Sequence, residues 1–194
     1  MTPLVTERLL LRDWRAADVE PMLALSTDPE VMHHFPRVMT RDEVLAFVVR
    51  QRRLLRAGRP GLFAVATRDD HHFLGFTGLA VPRFEAPFTP CVEVGWRLAR
   101  WAWGHGYATE AAEAALRHGF ETLELDEVVS FTSVANQRSR AVMRRLGMHH
   151  DPAEDFDHPS VEVGHELRRH VLYRLTRDEW RSRPDTPDSP DTPD

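Results

Sequence analysis

The sequence contains no lysine, no isoleucine and only one cysteine. Nor does any stretch approach the roughly 18 consecutive apolar residues of a membrane span. Cys91 has no partner for an internal disulfide, which fits a reducing cytoplasm. Residues after Met1–Thr6 form a short strand-like run and lack the long apolar core of a secretion signal, so a cytoplasmic protein without a membrane partner is expected. The absence of lysine makes every basic residue other than histidine an arginine. Together with the missing isoleucine, this reads as codon bias in a GC-rich genome and says nothing about chemistry. A net charge of −5 argues against nucleic acid as a partner, since such a binder carries a strongly basic surface. It leaves room for a local basic channel. A metal motif is also lacking. His165 to His170 resembles a zinc helix at first, but three residues separate Glu166 from His170 where the motif needs two. The pairs His33–His34, His71–His72 and His149–His150 point opposite ways on strands, so no metal is expected.

What is present indicates one folded domain over residues 1–181. At 194 residues the chain is long enough for a full core, and its apolar and charged content is ordinary for a globular protein. Residues 182–194 repeat proline, aspartate, threonine and serine without a large apolar side chain, and are expected to form a disordered acidic tail. Before it, Arg8–Arg12 reads as a strand, and Ala16–Ser26 as a helix with Val19, Met22 and Leu23 at helical spacing. Thr40 and Glu43 form a capping-box pair that opens a helix with Val44, Phe47, Val48 and Leu55 as its buried stripe. Leu62–Thr67, Phe73–Val81 and Cys91–Leu98 read as an antiparallel meander. A glycine-rich turn then opens a helix with Ala112, Ala115, Leu116, Gly119 and Phe120 on one face. Strand Glu127–Thr132, helix Gln137–Leu146, a strand from Met148 and strand Arg169–Thr176 complete a mixed α/β sheet.

The glycine turn is the chemical signal. Gly104 and Gly106 flank His105 between a strand and a helix, where positive φ angles bring backbone N–H groups close to a ligand. A helix start adds unpaired N–H donors and a positive dipole end, which favour a phosphate. Thr109, expected at the N-cap, adds a hydroxyl. A P-loop is excluded because no Gly-Lys-Ser/Thr follows. A dinucleotide turn would place a third glycine at Thr109, and its acid would end the next strand, whereas Asp126 precedes it. A plain connection and a pyrophosphate site stay open on these residues alone.

Trp103–Gly104–His105–Gly106–Tyr107–Ala108–Thr109–Glu110–Ala111 resembles the acyl-CoA pyrophosphate loop of the GNAT superfamily, Arg/Gln-x-x-Gly-x-Gly/Ala. Trp103 stands where Arg or Gln is usual, a departure similar to the RimJ/RimL (ribosomal-protein N-acetyltransferase) branch. Two further stretches resemble that branch. One is Thr6–Glu7–Arg8–Leu9–Leu10–Leu11–Arg12; the other runs from Asn136 through Ser139, Val142 and Leu146 to Gly147 and Met148. The likeness covers about residues 4–176. It implies a GNAT fold, a largely antiparallel sheet with two splayed central parallel strands, and a bacterial enzyme acting on acetyl-CoA and a primary amine. A protein N-terminal amine is the acceptor the branch implies. Small-molecule amines, a succinyl donor and a non-catalytic acyl-CoA-binding module are the alternatives. The branch often pairs, so a homodimer is compatible with it.

The resemblance also assigns roles. Strands Cys91–Leu98 and Glu127–Thr132 would part at their C-terminal ends, with the pantetheine arm in the gap against backbone groups of Trp96, Arg97 and Leu98. Trp103 to Thr109 would hold the pyrophosphate. Asn136 would bind pantetheine or a strand carbonyl, and Arg145 is the chosen phosphate partner among Arg138, Arg140, Arg144 and Arg145. Glu93 is the candidate base: alternation places it with Cys91, Gly95 and Arg97, opposite Val92, Val94 and Trp96, and a carboxylate between valines is costly to bury without a role. A salt bridge to Arg97 is the competing explanation. Much of the superfamily uses a tyrosine as acid where this chain has Met143, so Ser139, on the same helical face, takes that role. Acceptor-side residues are sought in the first two helices, Met32–Val38, Pro82–Pro90 and Asp155–Arg169, pieces that hold Phe35, Phe84, Phe88, Phe156 and His158.

Overall fold

A computed structural model describes residues 2–183, and the acidic tail expected from residue 182 falls, beyond Arg183, outside the described residues. Ser182 and Arg183 close the last helix: the Ser182 N–H donates to Asp178 O at 3.0 Å, and the Arg183 guanidinium lies 4.9 Å from the Trp180 ring.

The strands are β1 (Leu4–Val5), β2 (Leu9–Arg12), β3 (Leu62–Thr67), β4 (Phe73–Ala80), β5 (Glu93–Leu98), β6 (Glu127–Ser133), β7 (His149–His150), β8 (Phe156–Asp157) and β9 (Arg169–Thr176). The helices are α1 (Val19–Thr27), α2 (Pro29–Met32), α3 (Arg41–Arg56), α4 (Tyr107–Arg117), α5 (Gln137–Arg145) and α6 (Arg177–Arg181). One sheet runs in the order β1-β2-β3-β4-β5-β6-β9-β7, with β8 also on β9. Every pairing is antiparallel except β5 with β6. This is the mixed, mostly antiparallel sheet expected.

The helix expected over Ala16–Ser26 is a short tight turn followed by α1. Asp18 shapes that turn by accepting from the Arg15 N–H and from both terminal nitrogens of Arg12, at 2.7–2.8 Å, in a buried ion pair. Thr40 and Glu43 form the reciprocal cap of α3, and its stripe Val44, Phe47, Val48 and Leu55 is buried as the periodicity requires. β5 begins at Glu93, two residues later than expected, and the strand after Met148 is only two residues long. Among the described residues no helix is long and apolar enough to cross a membrane.

Two layers of side chains cover the sheet. Trp14, Phe47 and Phe76 meet under α1 and α3, with the Trp14 ring edge-on to Phe47 at 5.5 Å. On the opposite face Val94, Val128 and Leu79 pack under Ala112, Ala115 and Leu116 of α4 and Met143 of α5. A third cluster of Phe84, Phe88, Phe131 and Phe156 lies against Val129 and Leu172.

Candidate active site

The parallel pair joins and then separates. Glu93 and Val129 are the only residues in register, and the Val129 N–H donates to Val92 O at 2.9 Å. One residue further along, the Ser130 hydroxyl donates to Val94 O at 2.9 Å, so a side chain takes the place of the next ladder bond. Backbone groups alternate sides along a strand. Val92 and Val94 turn toward β6, while Ala99 donates to Leu74 O of β4 at 2.8 Å. The even residues of β5 therefore present their N–H and C=O groups to the gap, and the odd residues are tied to β4. Leu98 O accepts from Trp103 Nε1 at 2.9 Å, which leaves the Trp96 N–H and C=O as the open edge. Trp96 and Leu98 turn their backbone groups to the gap, whereas the Arg97 backbone lies opposite Phe76 of β4 and its side chain leaves the sheet on the α1–α3 side.

The glycine turn sits at the end of β5. Gly104 and Gly106 have φ of 82° and 78°, the left-handed region that glycine enters without a Cβ penalty. Gly106 is the N-cap of α4, so the expected cap at Thr109 moves three residues back; a left-handed φ is invisible in a list of residue types. The Thr109 and Glu110 N–H groups both donate to Gly106 O, at 3.0 and 3.1 Å, which leaves the Tyr107 and Ala108 N–H groups at the helix start for an outside acceptor. No atom lies within 4 Å of where a Gly104 Cβ would be, so the turn is open on that side. The donor set and the open backbone suit a pyrophosphate.

Residues 102 positions apart hold this turn. Arg8 donates through Nε to Glu110 Oε2 at 2.7 Å and through Nη1 to His105 O at 2.9 Å, and its guanidinium lies 4.8 Å from the Tyr107 ring. The Arg8 N–H and the Thr6 hydroxyl both donate to Glu110 Oε1. Burial works the other way, but these hydrogen bonds and the Arg8 charge keep the Glu110 carboxyl below its usual range. Both motifs were visible in the sequence; their contact was not. Two of the α5 arginines lie differently relative to the turn. The Arg138 guanidinium lies 4.5 Å from the Trp103 ring, whereas Arg145 is exposed in the last turn of α5. Seven residues of helix place it about 10 Å further along the axis.

Asn136 is the N-cap of α5: its Oδ1 accepts from the Ser139 N–H at 3.2 Å, and its Nδ2 donates to Thr132 Oγ1 at 2.9 Å. It ties α5 to the end of β6 and keeps one amide hydrogen free of these bonds. Ser139 is half-buried, one turn before the buried Met143, and its hydroxyl makes no hydrogen bond among the described residues. His34, not singled out by sequence, approaches Ser133 Oγ at 3.4 Å through Nδ1; burial, then His33 and Arg138, lower its pKa.

Glu93 opens toward the α1–α3 face of β5. Its carboxyl is pushed up to about 8 by desolvation alone, and among the described residues no ion pair reaches it. Arg97, the competing partner, turns away to Phe35, 3.9 Å from the ring centroid. A Cβ at Gly95 would touch only Glu93 Oε1, at 3.5 Å, so the glycine leaves room for the carboxylate above the strand. Cys91 is a poor nucleophile here: burial, then the Glu93 charge, push its thiol up to about 11. Phe84, Phe88, Phe131, Phe156, His158 and His170 form one aromatic wall beyond Glu93, with His158 and His170 centroids 4.9 Å apart. Burial lowers the His170 pKa to about 4, so this wall is uncharged at neutral pH. Among the described residues no group of three His, Cys, Asp or Glu is placed to hold a metal ion.

Residues 8–149 match the acetyltransferase (GNAT) domain family. An Aspergillus fumigatus protein named FsC-acetyl coenzyme A-N(2)-transacetylase is 35% identical over 168 residues, which span 81% of this chain and 69% of that one. The uncharacterized N-acetyltransferase YnaD of Bacillus subtilis is 27% identical, over 91% of this chain and 98% of its own. A GNAT acetyltransferase structure from Bacillus anthracis superposes with a TM-score of 0.74 at 24% identity, covering 92% of this chain and 100% of that one. RimL, a ribosomal L7/L12 alpha-N-protein acetyltransferase in complex with coenzyme A, gives 0.72 at 18% identity, covering 92% and 99%. At these identities the likeness to the two structures is one of fold.

Proposed function

Because the chain belongs to the GNAT acetyltransferase family, we propose that it moves an acetyl group from acetyl-CoA to a primary amine by direct attack, with a protein N-terminal amine as acceptor. One observation carries this reading. β5 and β6 part just past Glu93, and the unpaired Trp96 edge lies between the left-handed glycine start of α4 and a desolvated carboxylate.

Acetyl-CoA, when bound, supplies an activated thioester; positioning and proton movement fall to the chain. The turn from Trp103 to Gly106, the first N–H groups of α4 and Arg138 receive the pyrophosphate. The Trp96 backbone edge, on the α4–α5 side, pairs with the amides of the pantetheine arm in the manner of an added strand. Glu93 takes a proton from the incoming ammonium, directly or through a water, since an amine attacks only when neutral. A carboxyl near 8 is matched to that task at neutral to mildly alkaline pH. Ser139, with its hydroxyl uncommitted at the start of α5, supplies a proton to the departing sulfur. Burial, then the Glu93 charge, hold the Cys91 thiol protonated, which makes it a weak competitor for that attack.

The relative named for acetyl coenzyme A and an N(2) position favours a small-molecule amine as the second reading. Thiol release separates the two. Purified protein is incubated with acetyl- or succinyl-CoA and, in turn, N-terminal peptides, aminoglycosides and polyamines. Release with acetyl-CoA and peptides is expected. Release confined to the small amines overturns the acceptor assignment, and CoA binding without release on any acceptor identifies a non-catalytic acyl-CoA-binding protein.

A further inference from the structure

Arg12 is buried and Arg97 half-buried, and their guanidinium groups are treated differently. Arg12 has a bidentate carboxylate partner in Asp18, at 2.7 and 2.8 Å. Arg97 has no carboxylate within ion-pairing distance among the described residues. Its Nη1 meets only the Met39 thioether, at 3.7 Å, and its Nε is buried without a hydrogen-bond partner. The guanidinium lies between the Phe35 and Phe76 rings, at 3.9 and 5.4 Å. Removing a guanidinium from water without an anion is unfavourable, and burial draws this one down to about 10. Stacking on two rings recovers part of that cost and fixes the plane of the group, but satisfies none of its N–H donors.

Position on the strand supplies the second observation. Glu93, Gly95 and Arg97 share one face of β5, with Gly95 as a bare floor whose absent Cβ would meet nothing but Glu93 Oε1. Four residues of strand separate the two Cα atoms by about 13 Å. One face of β5 thus carries a carboxyl at one end and an unpaired cation at the other, with a glycine between them. An acceptor whose amine is delivered to Glu93 extends along the strand toward Arg97.

We infer that Arg97 is a specificity residue that pairs with a carboxylate carried several bonds from the reacting amine, so that the acceptor class is an amine bearing an anionic group. This rests on the acetyl-transfer reading above and narrows it. The same chemistry occurs in a free ω-amino acid and in a peptide whose second or third residue is acidic.

The test compares matched acceptors in the thiol-release assay: 6-aminohexanoate against hexylamine, and N-terminal peptides that differ only in carrying Glu, Gln or Lys at the third position. A charge-assisted bidentate contact is expected to give the anionic member of the preferred pair a kcat/KM about tenfold or more above its neutral counterpart. The pair that shows the ratio identifies the source, free amine or peptide. Arg97→Met is expected to collapse the ratio toward one, and Arg97→Glu to reverse it in favour of the lysine peptide, a change that simple loss of packing would not produce. A wild-type ratio near one, or a ratio that survives in Arg97→Met, overturns the assignment while leaving acetyl transfer in place. Absence of release on every acceptor overturns both.

Discussion

In the proposed reaction, Glu93 concentrates the chemistry in one titration. Its carboxyl, raised from 4.5 to about 8 by desolvation, is a base only after it loses its proton. The rate is therefore expected to rise through about pH 8, and Glu93→Gln to lose that limb along with about a hundredfold or more of kcat/KM while CoA affinity holds. The same shift has a stability consequence of fixed sign. A carboxyl whose folded pKa lies above its unfolded value favours the fold at low pH, and that contribution is lost as pH rises through the folded pKa. Glu93→Gln should thus melt with the wild type at pH 4 and above it at pH 9, which thermal melts at the two pH values would show. Glu93 was legible because an acid between Val92 and Val94 is conspicuous. Arg138 was not distinguishable from Arg145: periodicity gives the face of α5 but not which end abuts Trp103.

At the scale of elements, the turn before α4 is held from the other end of the sheet. Arg8 grips Glu110, the His105 carbonyl and the face of Tyr107 together. Arg8→Ala and Glu110→Gln are expected to raise the KM for acetyl-CoA about tenfold, with a smaller effect on kcat, since they loosen a binding turn and leave Glu93 and Ser139 in place. Steady-state kinetics at saturating acceptor would check this, and an equal fall in kcat with KM unchanged would contradict it. Elements whose signals are local were readable: the Thr40–Glu43 cap, the α3 stripe and the meander from β3 to β5. The cap of α4 was misplaced at Thr109, because what sets it is the left-handed φ of Gly106, and Gly104 has the same type and the same φ sign. β1, β7 and β8 were missed or overdrawn, since two-residue strands exist only through the partners they pair with.

For the whole molecule, the central feature is a sheet that separates. Four antiparallel pairings hold β1 to β5 in sequence, β6 is held by β9, and the two blocks share one residue pair and the Ser130 hydroxyl before they part. Sequence patterning identified the strands on each side and, through family resemblance, the expectation of a splay. Alternation put Arg97 on the Glu93 face and Trp96 on the other, but it did not show that Arg97 would meet Phe35, Phe76 and Met39 and no carboxylate. In the proposed reaction, that arrangement would bring thioester and amine together from opposite sides for direct attack. The most direct measurement is intact-protein mass together with thiol release, with acetyl-CoA in the presence and absence of an amine acceptor. Release is expected only when the acceptor is present, with the protein mass unchanged throughout. A protein that gains an acetyl group and releases CoA before any acceptor is added would contradict direct attack.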